Sequence, residues 1–128
     1  MLERRNAPDL AEPSGYAHVV TATGGRLVTT AGAVPLDAEG QLVGSGDYVA
    51  QAHQTLANLM RALEAAGATG DDVLKTTVYV VSTNRADLVA VWKAVQESPI
   101  AAAASTLLGV ALLGYEGQLV EIEAIAAL

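Results

Sequence analysis

Two glutamates near the end of the chain are the residues best placed to do chemistry. In LVEIEAIA, residues 119–126, apolar residues alternate with others, which predicts a β-strand with Glu121 and Glu123 on the same face. If that face is covered, each carboxylate must be paired, hydrogen-bonded or protonated, because an isolated buried charge is costly. A carboxylate in such a place can act as a general acid or base. It can instead hydrogen-bond a neighbouring backbone group or pair across a subunit interface with Lys75 or Arg26, and for Glu123 this structural role is favoured.

Other catalytic or metal-binding arrangements find little support in the sequence. His18 and His53 are the two histidines, and with no cysteine and no paired-ligand spacing we predict no metal site. His18 follows Tyr16 by two residues and is a weak pocket candidate. Ser105 lies outside any G-x-S-x-G motif, which argues against a serine hydrolase. The glycines at 44–46 lack the third glycine of a dinucleotide-binding loop.

The elements that position these residues follow the predicted order ββαβαββ. They are a hairpin at 17–31, a helix from Asp47 to Gly67, a strand at 73–81, a helix from about Asn84 to before Pro99, and strands at 105–113 and 118–126. Trp92 falls on the apolar stripe of the second helix, a spacing that favours a core residue over a ligand contact.

The predicted sheet leaves one face without cover. Two helices can shield only one side, yet VYVV at 78–81 and LLGVALL at 107–113 place apolar side chains on both. We therefore predict one α+β domain, residues 1–128, that packs its open sheet face against other copies of itself.

Composition limits the partners. The 128 residues carry a formal charge of -7 without a Lys/Arg cluster, which argues against nucleic acid as a ligand. The uncharged run at 100–114 is shorter than the roughly 18 to 20 residues of a membrane span. The polar N-terminus lacks the apolar segment of a signal peptide, and there are no cysteines, so we expect a cytoplasmic protein.

Several segments together resemble one family. GYAHVV, TTAGAVPLD, ALEAAGAT, DDVLKTTVYV and VEIEAIA are similar, in order and along nearly the whole chain, to the RidA (YjgF/YER057c/UK114) family. The resemblance implies a chorismate-mutase-like subunit with its sheet on one side and two helices on the other. It further implies a homotrimer with small-molecule clefts between subunits, and hydrolysis of enamines or imines to ammonia and a 2-keto acid without a cofactor.

The resemblance also assigns site residues. It implies that Glu121 works with a water, that Tyr16 lines the pocket and that Gly32 contacts the ligand through its backbone. The family's carboxylate-binding arginine falls at Ala104, within AAAAST. Losing such a charge-assisted contact typically costs about 1.5–3 kcal/mol.

Two nearby positions refine this picture of the cleft. Trp92 stands where the family often has an asparagine, so we expect a smaller and more apolar cleft. Thr106 can supply a hydroxyl close by.

Two functions from different classes therefore remain open. One is an arginine-lacking enzyme that acts on C=N or enamine bonds of a small metabolite. The other is a non-catalytic trimer with a metabolite-binding or regulatory role. The family's older association with ribonuclease activity conflicts with the acidic charge.

Overall fold

The structure, a computed structural model, describes all 128 residues and has an α+β fold, as predicted. It contains six strands, two α-helices and one short 3-10 turn. In chain order they are β1 Leu2–Arg5, β2 Val19–Ala22, β3 Leu27–Thr29, α1 Tyr48–Ala65, the 3-10 turn Gly70–Asp72, β4 Val73–Val81, α2 Arg85–Gln96, β5 Ala104–Val110 and β6 Val120–Ala127. Neither helix combines the length and the hydropathy that crossing a membrane requires.

Four strands form the main sheet, in the order β3-β6-β4-β5. Strand β4 pairs parallel with β5 and antiparallel with β6, and β6 pairs antiparallel with β3. Parallel pairing of β4 and β5 requires a crossover, which α2 provides. Both helices contact one face of this sheet. On that face the strand residues Val78, Val80 and Ile122 are buried in the core.

The hairpin predicted at 17–31 is wrong. Strand β2 pairs with β1 in a separate two-stranded sheet, and β3 pairs with β6. Gly24 and Gly25 do form a turn with positive φ, but this turn passes the chain from one sheet to the other. Arg26 and Leu128 exchange two backbone hydrogen bonds, of 2.8 and 2.9 Å, which fix the register of β3 on β6. β1, the partner of β2, was not predicted, because three of the four residues of its sequence LERR are charged.

The two helices begin and end close to where their capping residues predict. The Asp47 carboxylate accepts a hydrogen bond of 3.0 Å from the Ala50 amide, and Gly67 follows α1 with a φ of 78°. Asn84 caps α2 in the same way, accepting from the Ala86 amide at 3.0 Å. These caps set where each helix enters the core, and so which side chains face the sheet.

The sheet face turned away from the helices is mixed in character. Cross-strand register places Tyr79 between Leu108 and Glu121, and it places Thr77 opposite Glu123. These side chains are only partly buried, in contrast to Val78 and Val80 on the other face. Both glutamates therefore project from the open face, as the alternation of β6 predicts.

Candidate functional site

Glu121 occupies a defined position on the open face. The Gln118 side-chain amide donates a hydrogen bond of 3.0 Å to Oε1 of Glu121. The other carboxylate oxygen lies against Gly32, where an added Cβ would be only 2.2 Å from Oε2. We call Glu121, Gln118 and Gly32 the carboxylate site. Gly32 and Glu121, both of which the resemblance assigns to the ligand site, thus lie in contact within one chain.

Gln118 holds this carboxylate in place, and sequence reasoning missed it. Its side chain is 3% exposed, and its Oε1 accepts from the Tyr115 amide at 3.1 Å. Its Nε2 donates both to the Val120 carbonyl and to Glu121, each at 3.0 Å. A buried amide with all these bonds has little freedom to rotate. The available signal was a polar residue placed directly between a glycine turn and an apolar strand.

Tyr79 is the second residue that the sequence did not single out. Burial raises the pKa of Tyr79, and the negative charges of Glu123 and Glu121 together with a hydrogen bond to the Glu123 carboxylate raise it further. Its hydroxyl therefore keeps its proton at neutral pH and donates it in the hydrogen bond to Glu123 on the open face. The site thus combines a fixed carboxylate with a neutral phenol.

Tyr16 and Trp92 form a separate cluster at the β5 edge of the sheet. Their rings meet edge to face, with centroids 6.0 Å apart and planes at 73°. Together with Ser105 and Leu107 they line a cavity of about 230 Å³, the aromatic cavity. Trp92 thus lines a cavity while it also packs against the core.

The aromatic wall is held rigidly. The indole Nε1 of Trp92 donates to the Ser14 carbonyl at 2.9 Å, and Gln96 Nε2 donates to the same oxygen at 3.0 Å. Gly15 follows with a φ of 82° and lies directly against the Gln96 side chain. These contacts tie the segment that carries Tyr16 to α2.

The remaining predicted residues, Ala104 and Thr106, lie along β5. Ala104 is half-buried, pairs with Lys75 on β4 and bridges to Ala17, next to Tyr16. Thr106 lies on the same face of β5, the open face, where its Oγ1 accepts a hydrogen bond of 2.7 Å from Lys75 Nζ. Its hydroxyl is therefore already engaged and does not line the aromatic cavity.

The two histidines lie apart from the carboxylate site. His18 Nδ1 accepts a hydrogen bond of 3.0 Å from the Ala7 amide, and the His18 ring lies 6.1 Å from that of Tyr16. His53 lines a surface groove between the two helices. No group of three or more His, Asp or Glu side chains is arranged to hold a metal ion.

Comparisons with known proteins find a matching family model and closely similar structures. The family model described as Endoribonuclease L-PSP matches residues 5–128. The structure of YyfB, a protein of unknown function of the conserved Rid protein family from Yersinia pestis, superposes with a TM-score of 0.91 at 39% identity, covering 99% of this chain and 98% of that one.

Curated relatives match over shorter stretches. A RutC family protein of Haemophilus influenzae is 44% identical over 61 residues, which is 47% of this chain and 45% of that protein. The 2-iminobutanoate/2-iminopropanoate deaminase of Salmonella typhimurium is 42% identical over 60 residues, 47% of this chain and 46% of the deaminase. The chain thus matches about half the length of these two relatives.

Proposed function

The chain belongs to the RidA/YjgF family, which the Endoribonuclease L-PSP model describes, and on that premise we propose that it hydrolyses the C=N bond of a small imine, or of the enamine that tautomerises to it. The observation that carries the proposal is the carboxylate site, where Gln118 and the close approach of Gly32 hold Glu121 in one orientation. A carboxylate fixed in this way is preorganised to bind and orient a water.

The reaction needs only water and the side chains of the protein. A water held by Glu121 attacks the imine carbon, and the carboxylate accepts the proton that the water loses as the C–O bond forms. Glu121 passes that proton to the nitrogen, which gives a carbinolamine. The same carboxylate then transfers the hydroxyl proton of the carbinolamine to the nitrogen, and the C–N bond breaks as the carbonyl forms and ammonia leaves. The products are ammonia and a ketone or 2-keto acid, so atoms balance without a cofactor. The Salmonella relative, named as a deaminase of 2-imino acids, supports this reaction class.

We further propose that the complete site forms between copies of the chain in a homotrimer. Within one chain Glu121 projects from the open sheet face, whereas Tyr16 and Trp92 flank the opposite face at the β5 edge. Apolar side chains that one copy leaves exposed, Leu27 at 72% and Ile125 at 40%, support burial of the open face by a neighbour.

Mixing two inactive variants tests the shared site. If Glu121 and Tyr16 of one site come from different subunits, coexpressed Glu121→Gln and Tyr16→Ala chains recover about a quarter of the wild-type activity, because random assembly restores that fraction of sites. Sites built within single chains would recover none. Sedimentation of the purified protein as a single subunit would also contradict the trimer.

The hydrolysis itself is tested with an imine made in situ. An amino-acid oxidase with catalase converts alanine to 2-iminopropanoate, and ammonia release is followed against spontaneous hydrolysis. We expect acceleration by the wild-type protein and its loss in Glu121→Gln, with circular dichroism to show that the variant is folded. Equal rates with and without protein, for this imine and for imines made from leucine and phenylalanine, would refute the proposal.

One observation favours a second candidate, a non-catalytic trimer that binds or senses a metabolite. Ala104 stands at the position where the resemblance implies the carboxylate-binding arginine, so affinity for the smallest 2-imino acids is reduced. A thermal-shift ligand screen followed by turnover assays separates the two, because a protein that only binds the ligand unfolds at a higher temperature in its presence and does not consume it.

The formal charge of -7 disfavours RNA as a ligand or substrate of either candidate. We place this single domain in the cytoplasm.

A further inference from the structure

Tyr16 lines two cavities of different chemistry. The first is the aromatic cavity described above. The second, of about 230 Å³, is the arginine cavity, which Arg4, Arg5, Asn6 and Gly15 line together with Tyr16. Tyr16 is therefore the residue at which apolar surroundings and guanidinium groups meet.

The protein has few positive charges, and two of them lie together at the arginine cavity. The chain has seven Lys and Arg residues against fourteen Asp and Glu, yet two arginines are adjacent at the cavity. Arg4 Nη2 donates to the Asp71 carbonyl at 2.8 Å, which anchors that side chain to the start of β4. Arg5 has no such anchor to another part of the fold.

The one carboxylate that Arg5 contacts is its near neighbour Glu3. Nε and Nη2 of Arg5 both donate to Oε1 of Glu3, at 2.8 and 2.5 Å, but the two side chains are 69% and 58% exposed. An ion pair this exposed contributes little to stability. A ligand carboxylate can therefore replace Glu3 and accept the same two donors in bidentate geometry.

We propose that the two cavities together bind a small organic carboxylate with a branched aliphatic or aromatic side chain. The carboxylate binds Arg5, and the apolar group lies against Tyr16, Trp92 and Leu107. The identification of this ligand as a substrate rests on the proposed function, and it names the class as 2-imino acids with large apolar side chains. Arg5, from β1, would thus supply the guanidinium that position 104 lacks.

Trp92 gives a direct signal for binding, because it is the single tryptophan of the chain and lines the aromatic cavity. Three transparent probes separate the two parts of the ligand: 4-methylpentanoate has both charge and apolar group, 4-methylpentanamide lacks the charge, and acetate lacks the apolar group. We expect 4-methylpentanoate to change the Trp92 emission and to bind at least tenfold more tightly than either control probe.

Three variants test the role of Arg5. Arg5→Gln should weaken binding of 4-methylpentanoate tenfold or more, while Glu3→Gln, which removes the competing carboxylate, should strengthen it several-fold. Arg26→Gln, on β3's flank, loses the same charge elsewhere and should leave the affinity unchanged. Thermal melts at one protein concentration verify that each variant is folded.

Several results would overturn the proposal. They are an amide probe or acetate that binds as well as the acid, an Arg26→Gln effect equal to that of Arg5→Gln, or no Trp92 response to millimolar probe. Failure here is distinct from failure of the hydrolase. Probe binding without ammonia release removes the reaction but keeps the site, whereas ammonia release without probe binding removes this site but keeps the reaction.

Discussion

Replacing Gly32 with alanine tests the carboxylate site more directly than deleting the carboxylate. The new Cβ would lie 2.2 Å from Oε2 of Glu121, 2.6 Å from its Cδ and 2.8 Å from its Cγ. Gly32 is not among the glycines with positive φ, so alanine is compatible with the backbone there. Any loss of stability must then come from the contact with Glu121.

The size of that effect follows from the bonds that Glu121 must give up. Moving its carboxylate away breaks the 3.0 Å hydrogen bond from Gln118. Leaving that nearly buried amide short of a charged partner costs about 1–3 kcal/mol. Reduced backbone entropy of the unfolded chain offsets about 0.4–1 kcal/mol. We expect a net loss of about 1–2 kcal/mol, a fall in Tm of roughly 3–8 °C for a domain of this size, and a drop in ammonia release on the order of 100-fold from the misplaced carboxylate.

A double-mutant cycle isolates the contact. In a Glu121→Ala background nothing remains for the new methyl group to displace, so Gly32→Ala should be neutral or slightly stabilising there. The entropy offset is the same in both backgrounds, so the coupling should be about 1–3 kcal/mol. Gly114 is the matched control, because it also lacks a positive φ and an added Cβ there meets nothing within 4 Å. All melts are made at one protein concentration. Additive effects of the two changes, or an equal loss in Gly114→Ala, would show that Gly32 does not face the carboxylate.

Three further changes test the fold and the open face. Because burial and the charge of Glu123 raise the pKa of Tyr79, its contribution to stability is complete below about pH 10 and is lost as pH rises further. Tyr79→Phe should therefore flatten the fall in denaturant midpoint above about pH 10; an unchanged slope would contradict this. Leu59→Ala, at a fully buried site, should cost about 2–5 kcal/mol in chemical denaturation, against less than about 0.5 kcal/mol for Val89→Ala, which is 64% exposed. Asp47→Ala should cost about 1 kcal/mol by removing the cap of α1, and an unchanged Tm would show that its bond to the Ala50 amide is not stabilising.

Local signals in the sequence were enough to predict the ends of the helices and the sheet face on which Glu121 and Glu123 lie. Asp47 and Asn84 cap their helices through contacts two or three residues away, and these contacts need no knowledge of the rest of the fold. Strand β4, Val73–Val81, was predicted with the same bounds, because its β-branched run has no competing helical pattern. Alternation along β6 likewise fixed the face of Glu121 and Glu123.

Strand partners and side-chain partners could not be predicted in this way, because they depend on residues distant in sequence. β2 and β3 are consecutive and joined by glycines, yet they belong to different sheets. β2 pairs with Leu2–Arg5 at the N-terminus, whereas Leu128 at the other end of the chain forms backbone hydrogen bonds with Arg26, next to β3. Arg5 was overlooked for the same reason, since only the pairing of β1 with β2 brings it near Tyr16. The resemblance therefore implied that a ligand carboxylate binds at position 104, and not at the N-terminus.

The charges of the two clusters fix how an anionic ligand would lie across them. The open face carries Glu121 and Glu123 with Lys75 as its cation, and the Lys75 ammonium is bound to Thr106. Two like charges 4 Å apart repel by about 4 kcal/mol at the effective dielectric of a protein surface. A ligand carboxylate is therefore disfavoured beside Glu121 and favoured beside Arg5. If a neighbouring subunit brings the clusters together, this polarity turns the uncharged C=N group toward Glu121, the orientation that water attack requires.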